Sequence, residues 1–366
     1  SRWAMAQKAS LQEQEEPRQQ PALQQEQQQH QQQPEQERRA PGGADDTAVV
    51  EEEDAYLDGQ FLAMVKPLLA DTFLIVALVC FFELGPRGSA PFENLLPAGT
   101  SKKTTAREGA AVGALNALAI TAIGVVFSYG FALLYLAYSR RGMTLLALVS
   151  FALPTATLTA HCVQKLSSRL NFNIDIITTV LVAVNVGGFF AWAVVYSKEH
   201  RRRNLANRAL VLICVSLAWP FLCVDEWTVW LSLLFLVVWD VWAVYYKFGA
   251  IAIVLGTKQR RAWLAEPNEL PQGLVYETDS GFALGTGDFI LYGVLLGRAA
   301  MRGVPSFAAA ALGVLLGLFA TVWWAYQQQG NLSVPALPPV LILGMLAYFA
   351  THFAVEPTLA TLAEAH

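Results

Sequence analysis

The stretch WTVWLSLLFLVVWDVWAVYYK, residues 227–247, decides the fold. Ahead of its closing lysine it holds twenty residues with a single charged group, Asp240. A helix of about 20 apolar residues crosses the hydrocarbon core of a bilayer. A membrane-barrel strand would be shorter and would alternate apolar with polar. Asp240 follows thirteen uncharged residues (227–239) and precedes six more (241–246). An acid inside such a run is costly to bury, which makes it a functional candidate.

The same texture extends outward. Apolar runs occupy 63–84, 110–138, 143–165, 174–196, 206–224, 227–247, 284–302, 305–327 and 334–354, nine in all. The chain is 54% hydrophobic and 15% charged, against about 25% charged in soluble domains. The expected fold is an all-α polytopic membrane protein with a nine-transmembrane-helix bundle. Gly313 and Gly317 in the eighth run, and Gly187 and Gly188 in the fourth, are small residues of the kind that let helices approach in lipid. The net charge of −4 and the short, scattered basic clusters argue against a nucleic-acid surface. Cys80, Cys162, Cys214 and Cys223 lie in or beside apolar runs without metal-ligand spacing, and read as packing residues. His161 beside Cys162 is no metal pair, because adjacent helix positions do not face each other. No metal site is expected.

Residues 1–58 read differently. Thirteen glutamines fall between Gln12 and Gln36, and acids cluster from Asp45 to Asp54. Such a segment buries too little apolar surface to offset its ordering entropy, so a disordered tail is expected. A membrane domain then covers 59–366: an N-terminal part 59–248 with Asp240, a loop 249–283, and a C-terminal part 284–366. Twelve lysines and arginines near span ends fall on the side of the N-terminal tail and eight on the other. That bias puts the tail and the 249–283 loop in the cytosol and the C-terminus on the lumenal side.

The remaining acids of the apolar region, among them Asp71, Glu83, Asp175, Asp225 and Glu226, read as lying at or towards span ends. Asp288 is the exception that matches Asp240. It opens an uncharged run from Phe289 to Gly297 and has no basic residue close by in its own span. Two such acids in consecutive spans suggest a pair. Two carboxyls in contact share one proton, since both cannot ionise at close range. The ionised partner can activate a water, and the neutral one can polarise a peptide carbonyl. That chemistry needs no metal, no cofactor and no covalent intermediate. The acids alone are also compatible with a structural pair or a proton or ion site of a transporter.

The local sequences narrow this. Asp288 closes Gly285-Thr286-Gly287-Asp288, whose glycines allow close backbone approach. Pro335-Ala336-Leu337-Pro338 stands at the start of the ninth run, where two missing backbone donors should keep it non-helical. Trp239-Asp240, GTGD at 285–288 and PALP at 335–338, in that order, resemble the presenilins, the catalytic subunits of gamma-secretase. Glu226-Trp227-Thr228, LGTGDFILYGVLLGRA (284–299) and PALPPVLILGMLAYFAT (335–351) extend the resemblance, which covers about Phe61 to Leu359.

The resemblance implies an intramembrane aspartic endopeptidase with Asp240 and Asp288 as its catalytic pair. Trp239, Gly285, Thr286, Gly287, Pro335, Ala336 and Leu337 would shape the active site. Gly273-Leu274-Val275-Tyr276 and Phe282-Ala283-Leu284 would supply edge strands for an unwound substrate. Its substrates would be single-pass type I membrane proteins. Its partners would be nicastrin, the anterior-pharynx-defective subunit and the presenilin-enhancer subunit, in endoplasmic reticulum, Golgi or other membranes. The sequence departs from the family at Trp239, usually tyrosine, and at Thr286, usually leucine in animal members. The 248–287 loop is also much shorter, which leaves self-cleavage open. Two alternatives remain at this point. One is a signal-peptide-peptidase-like protease of opposite topology, in which Asn331-Leu332-Ser333 would be lumenal and open to glycosylation. The other is a non-proteolytic scaffold or calcium-leak channel.

Overall fold

A computed structural model describes residues 46–84, 106–136, 140–196, 203–246, 275–277, 283–327 and 337–358. The chain divides into residues 1–55 and 56–366. The helices belong to the second unit, apart from the opening turns of the first helix, which lie in 46–55. Nine α-helices occur among the described residues. They are α1 (Asp46–Phe82), α2 (Ala106–Leu136), α3 (Arg140–Leu170), α4 (Ile176–Val195), α5 (Arg203–Leu222), α6 (Glu226–Tyr245), α7 (Thr286–Arg302), α8 (Val304–Gln327) and α9 (Leu337–Ala350). A π-turn, Thr351–Val355, continues α9.

Eight of these helices are long and apolar enough to cross a membrane. The ninth expected span, α7, has 17 residues and carries Asp288, Arg298 and Arg302. It falls short because neighbouring helices rather than lipid surround it: twelve of its residues are buried, Arg298 included. Its neighbours include α5, α8 and α9, while α6 packs against α2 and α9, and α3 against α4.

Helix ends follow from local chemistry. Asp225 caps α6 by accepting the Trp227 N–H at 3.1 Å. Asp175 caps α4, accepting the Thr178 N–H at 2.9 Å and its hydroxyl at 2.6 Å. Those two bonds hold the Asp175 carboxyl below the ordinary carboxylate range. One correction concerns the tail. α1 begins at Asp46, inside the segment expected to be disordered to residue 58. The residues before 46 lie outside the described ones.

Small residues set the closest helix contacts. A Cβ on Gly317 would fall 2.4 Å from the Val340 Cα, and one on Gly313 2.6 Å from the Leu343 carbonyl oxygen, so α8 lies directly on the α9 backbone. A Cβ on Gly187 would meet the Ala152 carbonyl oxygen at 2.5 Å, whereas Gly188 faces open space. Among the described residues, only the first of that glycine pair serves packing.

At one end of the bundle a polar network joins four helices. The Tyr348 hydroxyl donates to Glu226 Oε1 at 3.0 Å, and Arg298 lies within electrostatic reach of Glu226. Glu356 accepts from Ser306 and faces His352 Nδ1 at 2.9 Å and Arg302 Nε at 3.5 Å. The π-turn between Tyr348 and Glu356 widens the helix there.

Candidate active site

Asp240 and Asp288 reach the site from opposite kinds of helix position. Asp240 lies in the final turns of α6, and Asp288 is the third residue of α7. The α7 start is built by its own sequence. Gly285 is the cap residue, with φ −63° and ψ 136°, and offers no side chain to satisfy the first turn. The Asp288 carboxyl reaches back and accepts the Gly285 N–H, the reciprocal half of a capping box. A Cβ on Gly285 would sit 3.3 Å from Asp288 Oδ2, so this glycine leaves room for the carboxyl. Gly287 is exposed, and a Cβ there would meet nothing within 4 Å. Its glycine is not required by packing among the described residues.

Asp240 is fixed from the other side. Its carboxyl accepts the backbone N–H of Leu337, the first residue of α9. The first four N–H groups of any helix lack intrahelical partners, and the dipole adds positive potential there. Asp240 Oδ2 is buried and has no hydrogen-bond partner among the described residues. The two carboxyls lie within direct electrostatic reach of each other. Tyr292, one turn beyond Asp288 and fully buried, is within reach of both. In the sequence Tyr292 stands out only as part of the Phe289–Tyr292 string; its position four residues after Asp288, on the same helix face, is the signal that points to the site.

Around this pair, Trp239 packs its ring 5.9 Å from Tyr129 on α2 and 5.0 Å from Trp242, forming an aromatic wall beside Asp240. Thr286 is buried, and its carbonyl oxygen meets the Cys214 thiol at 3.9 Å. Leading into α7 is an antiparallel pair, β1 (Val275–Glu277) and β2 (Ala283–Gly285). The register sets Val275 opposite Gly285, Tyr276 opposite Leu284 and Glu277 opposite Ala283. The two segments expected to form edge strands therefore pair with each other, and β2 runs straight into the GTGD turn. Leu274, Gly273 and Phe282 lie outside the described residues, as do Pro335, Ala336 and the Asn331 sequon.

Two expectations need correction. Leu337, Pro338 and Pro339 belong to α9, so the non-helical start does not extend through Pro338. Prolines fit a first turn because the missing N–H groups have no intrahelical acceptor there. The second is Asp71. Expected at or towards a span end, it lies midway along the Phe61–Phe82 span and is fully buried.

The likeness to known proteins extends over most of the chain. The presenilin family model matches residues 55–279 and 265–359. Presenilin-B of Dictyostelium discoideum is 28% identical over 203 residues, covering 54% of this chain and 41% of that protein. A presenilin-like protein of Arabidopsis thaliana is 24% identical over 375 residues, covering 82% of this chain and 94% of its own. A solved presenilin family intramembrane aspartate protease is 15% identical with a TM-score of 0.49, covering 79% of this chain and 97% of that one.

Proposed function

The chain belongs to the presenilin family, and on that premise we propose that it is an intramembrane aspartic endopeptidase with Asp240 and Asp288 as its catalytic pair. The observation that carries this reading is that a carboxyl in the final turns of α6 and one in the first turn of α7 lie within electrostatic reach of each other, each held by a backbone N–H. In the reaction, the ionised acid takes a proton from the attacking water. The neutral acid hydrogen-bonds the scissile carbonyl, and a proton passes to the departing nitrogen as the C–N bond breaks. Asp240 Oδ2, free of protein partners among the described residues, is the oxygen available for that water.

The substrates are transmembrane helices of type I single-pass proteins. A helix must open before its peptide bonds can be cut, and the β1–β2 pair leading into Asp288, two-stranded among the described residues, offers a strand edge for the opened segment. Trp239, Gly285, Thr286, Gly287 and the 335–337 segment shape the cleft, and the exposed, unobstructed Gly287 leaves space for substrate backbone.

The chain acts as the catalytic subunit of a complex like gamma-secretase, with nicastrin, the anterior-pharynx-defective subunit and the presenilin-enhancer subunit, in endoplasmic reticulum and Golgi membranes. Asn185 supports a need for partner helices. It is exposed near the middle of α4, its amide donating to the Leu181 carbonyl of its own helix, and a polar group at that depth favours a neighbouring helix over lipid.

The test is to express wild type, Asp240→Ala and Asp288→Ala with the partner subunits in cells lacking their own presenilin. Release of the cytosolic domain of a single-span stub is then followed. Cleavage by the wild type alone, with all three assembled, supports the assignment. Cleavage by either mutant at the wild-type rate refutes it.

A further inference from the structure

Asp71 is the membrane-embedded acid that the two-aspartate scheme leaves unused. It has 0% exposure, and neither carboxyl oxygen has a hydrogen-bond partner among the described residues. A polar group placed there without a partner is costly, so an apolar residue would serve simple packing better.

Its surroundings connect it to Asp288 on two flanks. A Cβ on Gly293 would fall 2.7 Å from Asp71 Oδ2 and 2.3 Å from Ile75 Cδ1; one on Gly297 would fall 2.8 Å from Ile75 Cγ2. Asp71 and Ile75, one turn apart on α1, thus fill a notch left by two glycines one turn apart on α7. Gly293 follows Asp288 by five residues, roughly 7.5 Å along the axis at the helical rise. On the other flank, Asp71 lies within electrostatic reach of Cys214 on α5. The Cys214 thiol meets the carbonyl oxygen of Thr286, two residues before Asp288.

We propose that Asp71, carried as the neutral acid, is a positioning residue for proteolysis: seated in the Gly293–Gly297 notch, it sets the depth and rotation of α7 and thereby the point at which Asp288 meets the substrate. The neutral form follows from burial without a counter-charge among the described residues, since burying the carboxylate costs far more. An amide of the same planar shape then substitutes for it. This inference rests on the protease reading above.

The experiment compares wild type, Asp71→Ala, Asp71→Asn and Gly293→Ala, each assembled with the partner subunits in presenilin-null membranes. Mass spectrometry reads the ends of the released products, and kcat and KM are normalised to assembled enzyme. Asp71→Ala is expected to redistribute the cut sites and to lower kcat on the order of ten- to a hundredfold, the effect of a misplaced catalytic group. Gly293→Ala, pressing on the notch from the α7 side, also shifts the ends, and Asp71→Asn restores the wild-type pattern. Unchanged product ends in Asp71→Ala, with activity falling only as assembled enzyme falls, overturn the inference and leave the protease reading intact. An assembled Asp71→Asn as impaired as Asp71→Ala overturns the neutral-acid role. A wild type that cleaves nothing overturns the protease reading, and this inference with it.

Discussion

α4 and α7 are helices of similar length in opposite surroundings. α4 has 20 residues, of which six are buried: Thr179, Ala183, Gly187, Ala191, Ala193 and Val194. The first four recur every fourth position, a stripe of small side chains, and the rest of the helix is apolar enough to face lipid. α7 buries twelve of 17 residues and carries Asp288 and Arg298. Lipid sets the composition of the first helix; neighbouring side chains set that of the second. An encased helix can therefore hold a charge, here the buried Arg298, that a lipid-facing one cannot.

Substitutions can break this contrast, and the largest effect is expected at the acids. Asp288→Asn should lower cleavage of a stub substrate by about a thousandfold or more without loss of assembly, since acid–base catalysis is removed while shape is kept. Arg298→Ala comes next. It strips a buried cation that lies within electrostatic reach of Glu226 and leaves a gap in the packing around α7. Thermal denaturation of the detergent-solubilised protein should show a marked fall in midpoint, with Arg298→Lys less affected. Within α4, Gly187→Ala would force its new carbon into the Ala152 carbonyl oxygen, at about 1–3 kcal/mol for overpacking. Its neighbour Gly188→Ala meets open space and should stay within about 0.5 kcal/mol in the isolated chain. If both α4 variants melt alike, α3 and α4 do not pack through Gly187 as described.

The same contrast explains what can be read from sequence. The eight lipid-compatible spans are legible to within a few residues because apolar length is a local property. α7 is legible as the apolar run 284–302, but the helix spans only 17 residues and carries three charged groups, so it falls short of the other eight. Asp240 stands out as a lone acid in a long uncharged run. Asp71 does not, because its significance depends on Gly293 and Gly297, far away in the chain, and on where the first span begins. The PALP resemblance points to the segment whose Leu337 N–H holds Asp240, but not to the placement of Leu337 and Pro338 inside α9. Proline at a helix start and proline before a helix look alike in sequence.

The central claim is that Asp240 and Asp288 meet. A double variant, Asp240→Cys with Asp288→Cys, tests it directly in a chain given a protease site within residues 249–274. After mild oxidation and cutting at that site, the two halves should remain joined on a denaturing gel and separate on reduction, because a disulfide forms only between closely apposed Cβ atoms. Halves that separate with or without reductant would contradict the account.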